Sequence, residues 1–466
     1  MEVKFGTGGF RGIIGDNFTK ENVQKICQSI ANISKHKNYK KKICIGYDNR
    51  FMSENFALWC AEVFAGNDFT VELFKNACAT PVVMYQTMIE DNDYGIMITA
   101  SHNPYVYNGV KVFTKQGRDA SLDDTNLIEE EFKKVEEVFV VNNEQRKRIV
   151  YVDYVNDFVD YLVKNQEIPN CSNLKVVFDT KFGSTAEEIK LLCSKLNLKN
   201  YKIINENRDA FFNFITPAPS MDNVEELKQN VILSGADIGF ALDADGDRLA
   251  VVDRFGNFLD NNIILSLVYY FLVKCQNKQG DVVKNVATTS LLDLLAEKFG
   301  YVCHEVQVGF KYISSTLIDT NAVVGGESSG GLALQNHIYG KDSLVSIAIC
   351  LKILEFYKKP FDEIVDEMLK FANNFNKKIR DKQYTYSTEK ETSIKTMLFR
   401  DGSLPKLNHK AKKIVVKDYV KIFYENDDWV LIRFSGTEPI LRIFAEFETE
   451  RDCFDEFLLW ETFLKL

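Results

Sequence analysis

The feature that most constrains this fold is a rhythm, in which short apolar runs alternate with helical patterns along most of the chain. KICIGYD at Lys42–Asp48 has the pattern of a buried strand, and Ser53–Ala65 follows with helical spacing, Ser53 standing where a cap is expected. Val71–Lys75 and Tyr94–Ile98 are further predicted strands around a helix over Pro81–Ile89. The rhythm returns at Leu174–Asp179, Thr185–Leu196 and Tyr201–Asn205, and again at Asp281–Ser290, Leu291–Phe299 and Tyr301–Val308. Alternation of this kind predicts α/β domains with parallel or mixed sheets. The tail from Gln383 departs from it. There, predicted strands at Lys413–Val416, Val420–Tyr424, Trp429–Phe434 and Ile440–Glu446 precede a closing helix, an α+β module.

A chain of 466 residues exceeds what one hydrophobic core supports. Polar joints at Asn142–Arg148 and Asn373–Lys382, with a third near Asp253–Asn257, predict four domains: 1–141, 149–254, 255–372 and 383–466. The net charge of −9 argues against broad binding to nucleic acid or anionic membrane, but leaves room for a local basic pocket. Ile263–Val273 is too short to span a bilayer and is read as a buried helix. The opening MEVKFGTGGFRG lacks the apolar core of a signal peptide, and the ten cysteines show no C-x-x-C spacing. Reduced thiols and a cytoplasmic location are expected.

Five loops carry residues suited to chemistry. KFGTGGFRG (Lys4–Gly12) is neither a P-loop nor a dinucleotide fingerprint; it is a plain turn or an anion contact made by backbone amides and Arg11. GIMITASHNPYVYNGVKVF sets Ser101 between an apolar strand and a polar loop, with no G-x-S-x-G elbow. That serine either caps the backbone or already carries a phosphoryl group and needs no strong base. GFALDADGDRLAVVD alternates Asp243, Asp245 and Asp247, which in extended backbone would face one side. Three close carboxylates call for a cation, and an all-oxygen set suits Mg²⁺; an EF-hand is excluded by Arg248 and Arg254 at positions that demand Gly and Glu. VGGESSGG places Glu327 and Ser329 on a glycine-framed loop suited to sugar hydroxyls. RFSGTEPILR offers Arg433, Ser435, Thr437 and the amides around Gly436, a donor set for a phosphate dianion.

Taken in order, FGTGGFRG, TASHNP, DADGDR, GGESSG and RFSGTEP resemble the α-D-phosphohexomutase family over nearly the whole chain. The resemblance implies four domains around a central cleft, three similar α/β domains with mixed sheets and a C-terminal α+β domain. It implies that Ser101 is phosphorylated and that Mg²⁺ binds Asp243, Asp245, Asp247 and a phosphoserine oxygen. Phosphate would move between the 1- and 6-positions of a hexose phosphate through a hexose 1,6-bisphosphate, which also primes the enzyme. Arg248 and Arg11 would cover phosphate oxygens, and His102 and Lys111 match positions that could move the proton of the attacking hydroxyl. A lysine would need a depressed pKa for that task.

The same resemblance nominates Lys311 in VGFKYI, and His337 and Lys341 in NHIYGKDS, for the substrate, with Arg442 supporting the phosphate loop. Three positions depart from the family pattern: Ser328 in the sugar loop, Ser343 where glycine is usual, and Phe434 where proline is common. Glucose or mannose phosphate is the expected substrate class. The alternatives are a phosphoglucosamine mutase, a hexose bisphosphate synthase and a non-catalytic sugar-phosphate-binding protein.

Overall fold

The structure, a computed structural model, describes residues 3–6, 9–37, 39–90, 92–435 and 440–466. It divides into a larger unit, Met1–Asn285 with Leu292–Met368, and a smaller one, Val286–Leu291 with Leu369–Leu466. Three mixed sheets build the larger unit, and one antiparallel sheet builds the smaller.

The three mixed sheets repeat one local order. In the first, Lys42–Tyr47 lies between Thr70–Phe74 and Tyr94–Ile98, parallel to both. In the second, Lys175–Asp179 lies between Asn200–Ile204 and Ile238–Leu242; in the third, Val282–Asn285 lies between Cys303–Val306 and Val324–Gly326, all parallel. Each then gains an antiparallel strand next in sequence: Tyr107–Thr114, Leu249–Asp253 and Leu332–Leu334. The connection inside each antiparallel pair is one of the loops singled out above: 99–106, 243–248 and 327–331. The same is true of the smaller unit, where Trp429–Phe434 and Ile440–Phe447 flank the fifth loop.

Buried parallel strands need apolar residues on both faces, and Tyr94–Ile98 and Ile238–Leu242 are buried at every position. Helix residues such as Ile26, Phe56 and Phe64 pack with Ile43, Ile45 and Ile96 in the first core. The apolar run at 263–273 lies in the helix Asn261–Lys274, whose N-terminus is capped by Asp260. Among the described residues, no helix is long and apolar enough to cross a membrane.

The structure corrects two local expectations. Ser53 is the first residue of the helix Ser53–Gly66 and does not cap it; its hydroxyl donates to Asp48 Oδ1 at 2.8 Å. The stretch read as a linker at Asn373–Lys382 runs into a strand, Lys378–Thr385, the edge of the antiparallel sheet. Its charged side chains hid it, because an edge strand tolerates solvent along its length. The first sheet also continues past the polar joint at 142–148, since Ile149–Val152 pairs with Thr70–Phe74.

Candidate active site

Asp243, Asp245 and Asp247 are all buried, and their carboxylate oxygens lie within 4.8 Å of one another. They converge because the backbone turns, and not because a strand alternates. Residues 243–248 connect two antiparallel strands, and Gly246 takes φ +67°, where a side chain would meet Thr185. The turn's carbonyls are tied from three directions. Ser184 donates its N–H to Ala244 O at 2.9 Å, Thr80 its N–H to Asp245 O at 2.7 Å, and Ser343 its hydroxyl to Gly246 O at 2.6 Å. Ser343, one of the departures from the family pattern, therefore gains a bond to this loop.

Ser101 is fully buried and donates its hydroxyl to Asp243 Oδ2 at 2.7 Å, across 142 residues of sequence. Burial, then the charges of Asp245 and Asp247, push Asp243 upward. Lys111 donates to Asp245 Oδ2 and Asp247 Oδ2, both at 2.6 Å, and Lys341 lies 3.2 Å from Asp247 Oδ2. Arg248 Nε is 3.8 Å from Asp247 Oδ1. Asp245 Oδ1 and Asp247 Oδ1 are buried with no hydrogen-bond partner among the described residues. Two orphaned carboxylate oxygens beside Asp243 form a donor set that fits a hard divalent cation.

The proton-handling candidates separate electrostatically. Burial opposes charge on Lys111, but Asp245 and Asp247 outweigh it and hold its pKa above the ordinary lysine value. That is the opposite of the depression a lysine base would need. Burial, then Arg248 and Arg11, push His102 well below the usual imidazole range, so the ring is neutral at pH 7. Its Nδ1 lies 3.5 Å from Ser101 Oγ. Arg11 donates to Asn103 Oδ1 in the serine loop, and its guanidinium interacts with Asp245 and Asp247.

The sugar-loop residues bond to each other: Ser329 Oγ donates to Glu327 Oε1 at 2.8 Å, and Asn285 Nδ2 to Glu327 Oε2 at 3.1 Å. Lys311 is the second residue of the helix Phe310–Thr320, its pKa lowered by burial. Among the described residues, His337 makes no hydrogen bond to the three aspartates. It is buried against Tyr161, with ring centroids 5.5 Å apart, and its Nε2 lies 2.7 Å from Asp342 Oδ2, which caps the helix Ser343–Tyr357. Arg433, Ser435 and Arg442 belong to the smaller unit, where Arg433 and Arg442 are cross-strand neighbours. Gly436 and Thr437 lie outside the described residues.

Sequence reading missed Thr80, whose hydroxyl also donates to Asp245 Oδ2 at 2.6 Å. The available signal was its place at the start of the helix Thr80–Ile89, before a proline, but nothing in the sequence ties it to a loop 165 residues away.

The chain matches four domain families in order. These are phosphoglucomutase/phosphomannomutase α/β/α domain I over residues 2–139, domain II over 150–256, domain III over 260–371, and the C-terminal domain over 398–456. A phosphoglucomutase/phosphomannomutase of Thermococcus kodakarensis is 29% identical over 461 residues, covering 96% of this chain and 95% of that protein. A phosphoglucosamine/phosphogalactosamine mutase of Sulfurisphaera tokodaii is 30% identical over 460 residues, covering 96% and 95%. The crystal structure of a phosphoglucomutase/phosphomannomutase family protein from Burkholderia thailandensis shares the fold, with a TM-score of 0.81 at 20% identity over 100% of this chain and 98% of that one. With every domain of the family present in order, the chain belongs to the α-D-phosphohexomutase family, the phosphoglucomutase/phosphomannomutase enzymes.

Proposed function

We propose that this phosphohexomutase moves phosphate between the 1- and 6-positions of glucose or mannose phosphate, with Ser101 as the phosphoryl carrier. The observation that supports it most is the bond from Ser101 Oγ to Asp243, inside a buried carboxylate trio. Asp243, Asp245 and Asp247, with an oxygen of phosphorylated Ser101, would hold Mg²⁺. When bound, that ion neutralises phosphoryl oxygen charge.

The chain's own residues do the rest. The bond from phosphorus to Ser101 Oγ breaks with its electrons kept by that oxygen, while a sugar hydroxyl forms the new P–O bond and gives up its proton. Neutral His102 takes that proton in this reading; Lys111, held as a cation, and Lys341, Arg248 and Arg11 supply positive charge around the oxygens. The resulting hexose 1,6-bisphosphate returns its other phosphate to Ser101, and it also primes unphosphorylated enzyme. Glu327 and Ser329 contact ring hydroxyls, and Lys311 is a further substrate contact. Arg433, Ser435, Gly436, Thr437 and Arg442 grip the distal phosphate. His337 is left out of this set; it bonds Asp342, the cap of the helix Ser343–Tyr357. The domain limits 1–141, 149–254, 255–372 and 383–466 are part of the same reading, as is a cytoplasmic place of action.

A phosphoglucosamine substrate is supported about as well, because the Sulfurisphaera relative bears that activity in its name. The test is an intact-mass measurement, followed by a panel of glucose, mannose and glucosamine phosphates with Mg²⁺ and the matching bisphosphate. A mass excess of one phosphoryl group at Ser101 and interconversion of one pair are expected. Bisphosphate accumulation from another donor, with slow interconversion, would favour a synthase. No conversion by phosphorylated protein would leave a binding protein.

A further inference from the structure

Ser101 has φ +52°, a left-handed backbone that a non-glycine residue holds only when its surroundings impose it. What imposes it is a network on the residues after the strand Lys42–Tyr47. Arg50 is fully buried and spends all five of its N–H donors. Nε donates to Asp48 Oδ2 at 3.1 Å; Nη1 donates to Pro104 O at 3.0 Å and Tyr107 O at 3.1 Å; Nη2 donates to Asn103 O at 2.7 Å and to Ser101 O. Three carbonyls of the serine loop, and that of Tyr107 at the start of the next strand, thus point at one planar fork. On the other side, Ser101 N–H donates to Thr99 Oγ1 at 2.8 Å, and that hydroxyl donates to Asp48 Oδ2 at 2.6 Å. Both backbone groups of Ser101 therefore lead to the single carboxylate of Asp48, which also accepts Arg50 N–H and Ser53 Oγ.

A second element closes over this network. Phe212, 1% exposed, lies with its ring centroid 4.9 Å from the Arg50 guanidinium carbon. It belongs to a run of three left-handed residues, Phe212, Asn213 and Phe214. Phe211 stacks on Phe51, beside Arg50, with centroids 6.2 Å apart, and meets Tyr105 of the serine loop at 5.6 Å.

We propose that Asp48, Arg50 and Thr99 are positioning residues that hold the Ser101 backbone so its hydroxyl is aimed before substrate arrives, and that Phe212 locks Arg50 in place. This rests on Ser101 being the phosphoryl carrier. A lysine at position 50 keeps the buried charge beside Asp48 but cannot reach four carbonyls, so it removes the fork without stranding the carboxylate.

The test labels full-length wild-type, Arg50→Lys, Thr99→Val, Thr99→Ser and Phe212→Leu chains from ³²P-glucose 1,6-bisphosphate. It then follows single-turnover transfer to glucose 6-phosphate per labelled serine, with thermal melting alongside. Misaiming a reacting group by about an ångström costs about a hundred-fold. Arg50→Lys is expected to transfer about a hundred-fold more slowly per labelled site, with KM nearly unchanged. Thr99→Val is expected to lose about ten-fold, Phe212→Leu a few-fold, and Thr99→Ser is expected to restore the rate. Wild-type transfer rates per labelled serine in Arg50→Lys would overturn the proposal. If that chain does not fold, the Thr99 pair decides: equal rates in the valine and serine variants overturn it. Failure of the underlying reading shows separately, because label would be absent from wild type or would persist in Ser101→Ala.

Discussion

The metal loop at 243–248 and the sugar loop at 327–331 occupy the same place in two similar sheets, yet they are held very differently. In the first, the three carboxylates are buried, and the carbonyls of residues 244 to 246 are bonded by Ser184, Thr80 and Ser343. In the second, Glu327 is buried but Ser328, Ser329 and Gly330 are half-buried; Ser329 donates to Glu327 within the loop, and bonds from outside come from Asn285 to Glu327 and from the Leu249 N–H to Gly330 O. Phosphoryl transfer depends on alignment to fractions of an ångström, so under the proposed function the chemistry belongs to the loop whose carbonyls at 244 to 246 are bonded from outside it. A sugar accepted in two orientations, as the proposed function requires, is tolerated by an adaptable surface.

The sharpest break of this comparison is Ser101→Ala. We expect a loss of turnover of at least about ten-thousand-fold with an unchanged melting temperature, read by coupled assay and calorimetry. Near-normal activity would remove the serine from the mechanism.

Asp245→Asn comes next, with an expected rate loss of about a hundred-fold or more. Wild type at a hundred times Kd for Mg²⁺ gains about 2.7 kcal/mol of stability by mass action; the variant loses that gain. Mg²⁺-dependent melting reads this without activity, and an equal Mg²⁺ shift in both proteins would exclude the trio as the cation site.

Glu188 tests the pinning of the metal loop. Its Oε1 accepts the Ala79 N–H at 2.8 Å, next to Thr80, and its Oε2 is buried with no hydrogen-bond partner among the described residues. Burial pushes this carboxyl from 4.5 up to about 7. Between those values the unfolded chain releases the proton first, so stability falls as pH rises through the window, by about 3 kcal/mol at most. Urea melts from pH 4.5 to 8 should show this slope in wild type and a flatter one in Glu188→Gln. The same slope in both would contradict the shift.

The smallest effect is expected in the adaptable loop. Ser329→Ala removes one hydrogen bond of about 1 kcal/mol, so KM for hexose phosphate should rise a few-fold while melting stays constant. A fall in kcat with constant KM would place Ser329 with the rigid chemistry instead.

Much of the fold is legible in the sequence because its signals are local. Tyr94–Ile98, Leu291–Phe299 and Trp429–Phe434 are predicted with the bounds the structure shows. Each is set by its own apolar pattern and its flanking breakers. Lys378–Thr385 was missed because an exposed edge strand has no buried face to write that pattern. Candidate site residues are legible where a motif concentrates them, as in DADGDR. Thr80, Thr99, Arg50 and Glu188 were not, since their roles depend on partners far along the chain.

The sequence by itself therefore determined the alternating α/β rhythm, the family and the chemical types of the loops, because composition and short-range spacing carry that information. Only the tertiary structure decided which groups meet. The Ser101–Asp243 bond, the cationic hold on Lys111 and the pairing of His337 with Asp342 come from strand order and burial. Hydrogen bonds and charge shifts act over a few ångströms of space, whatever the separation in sequence.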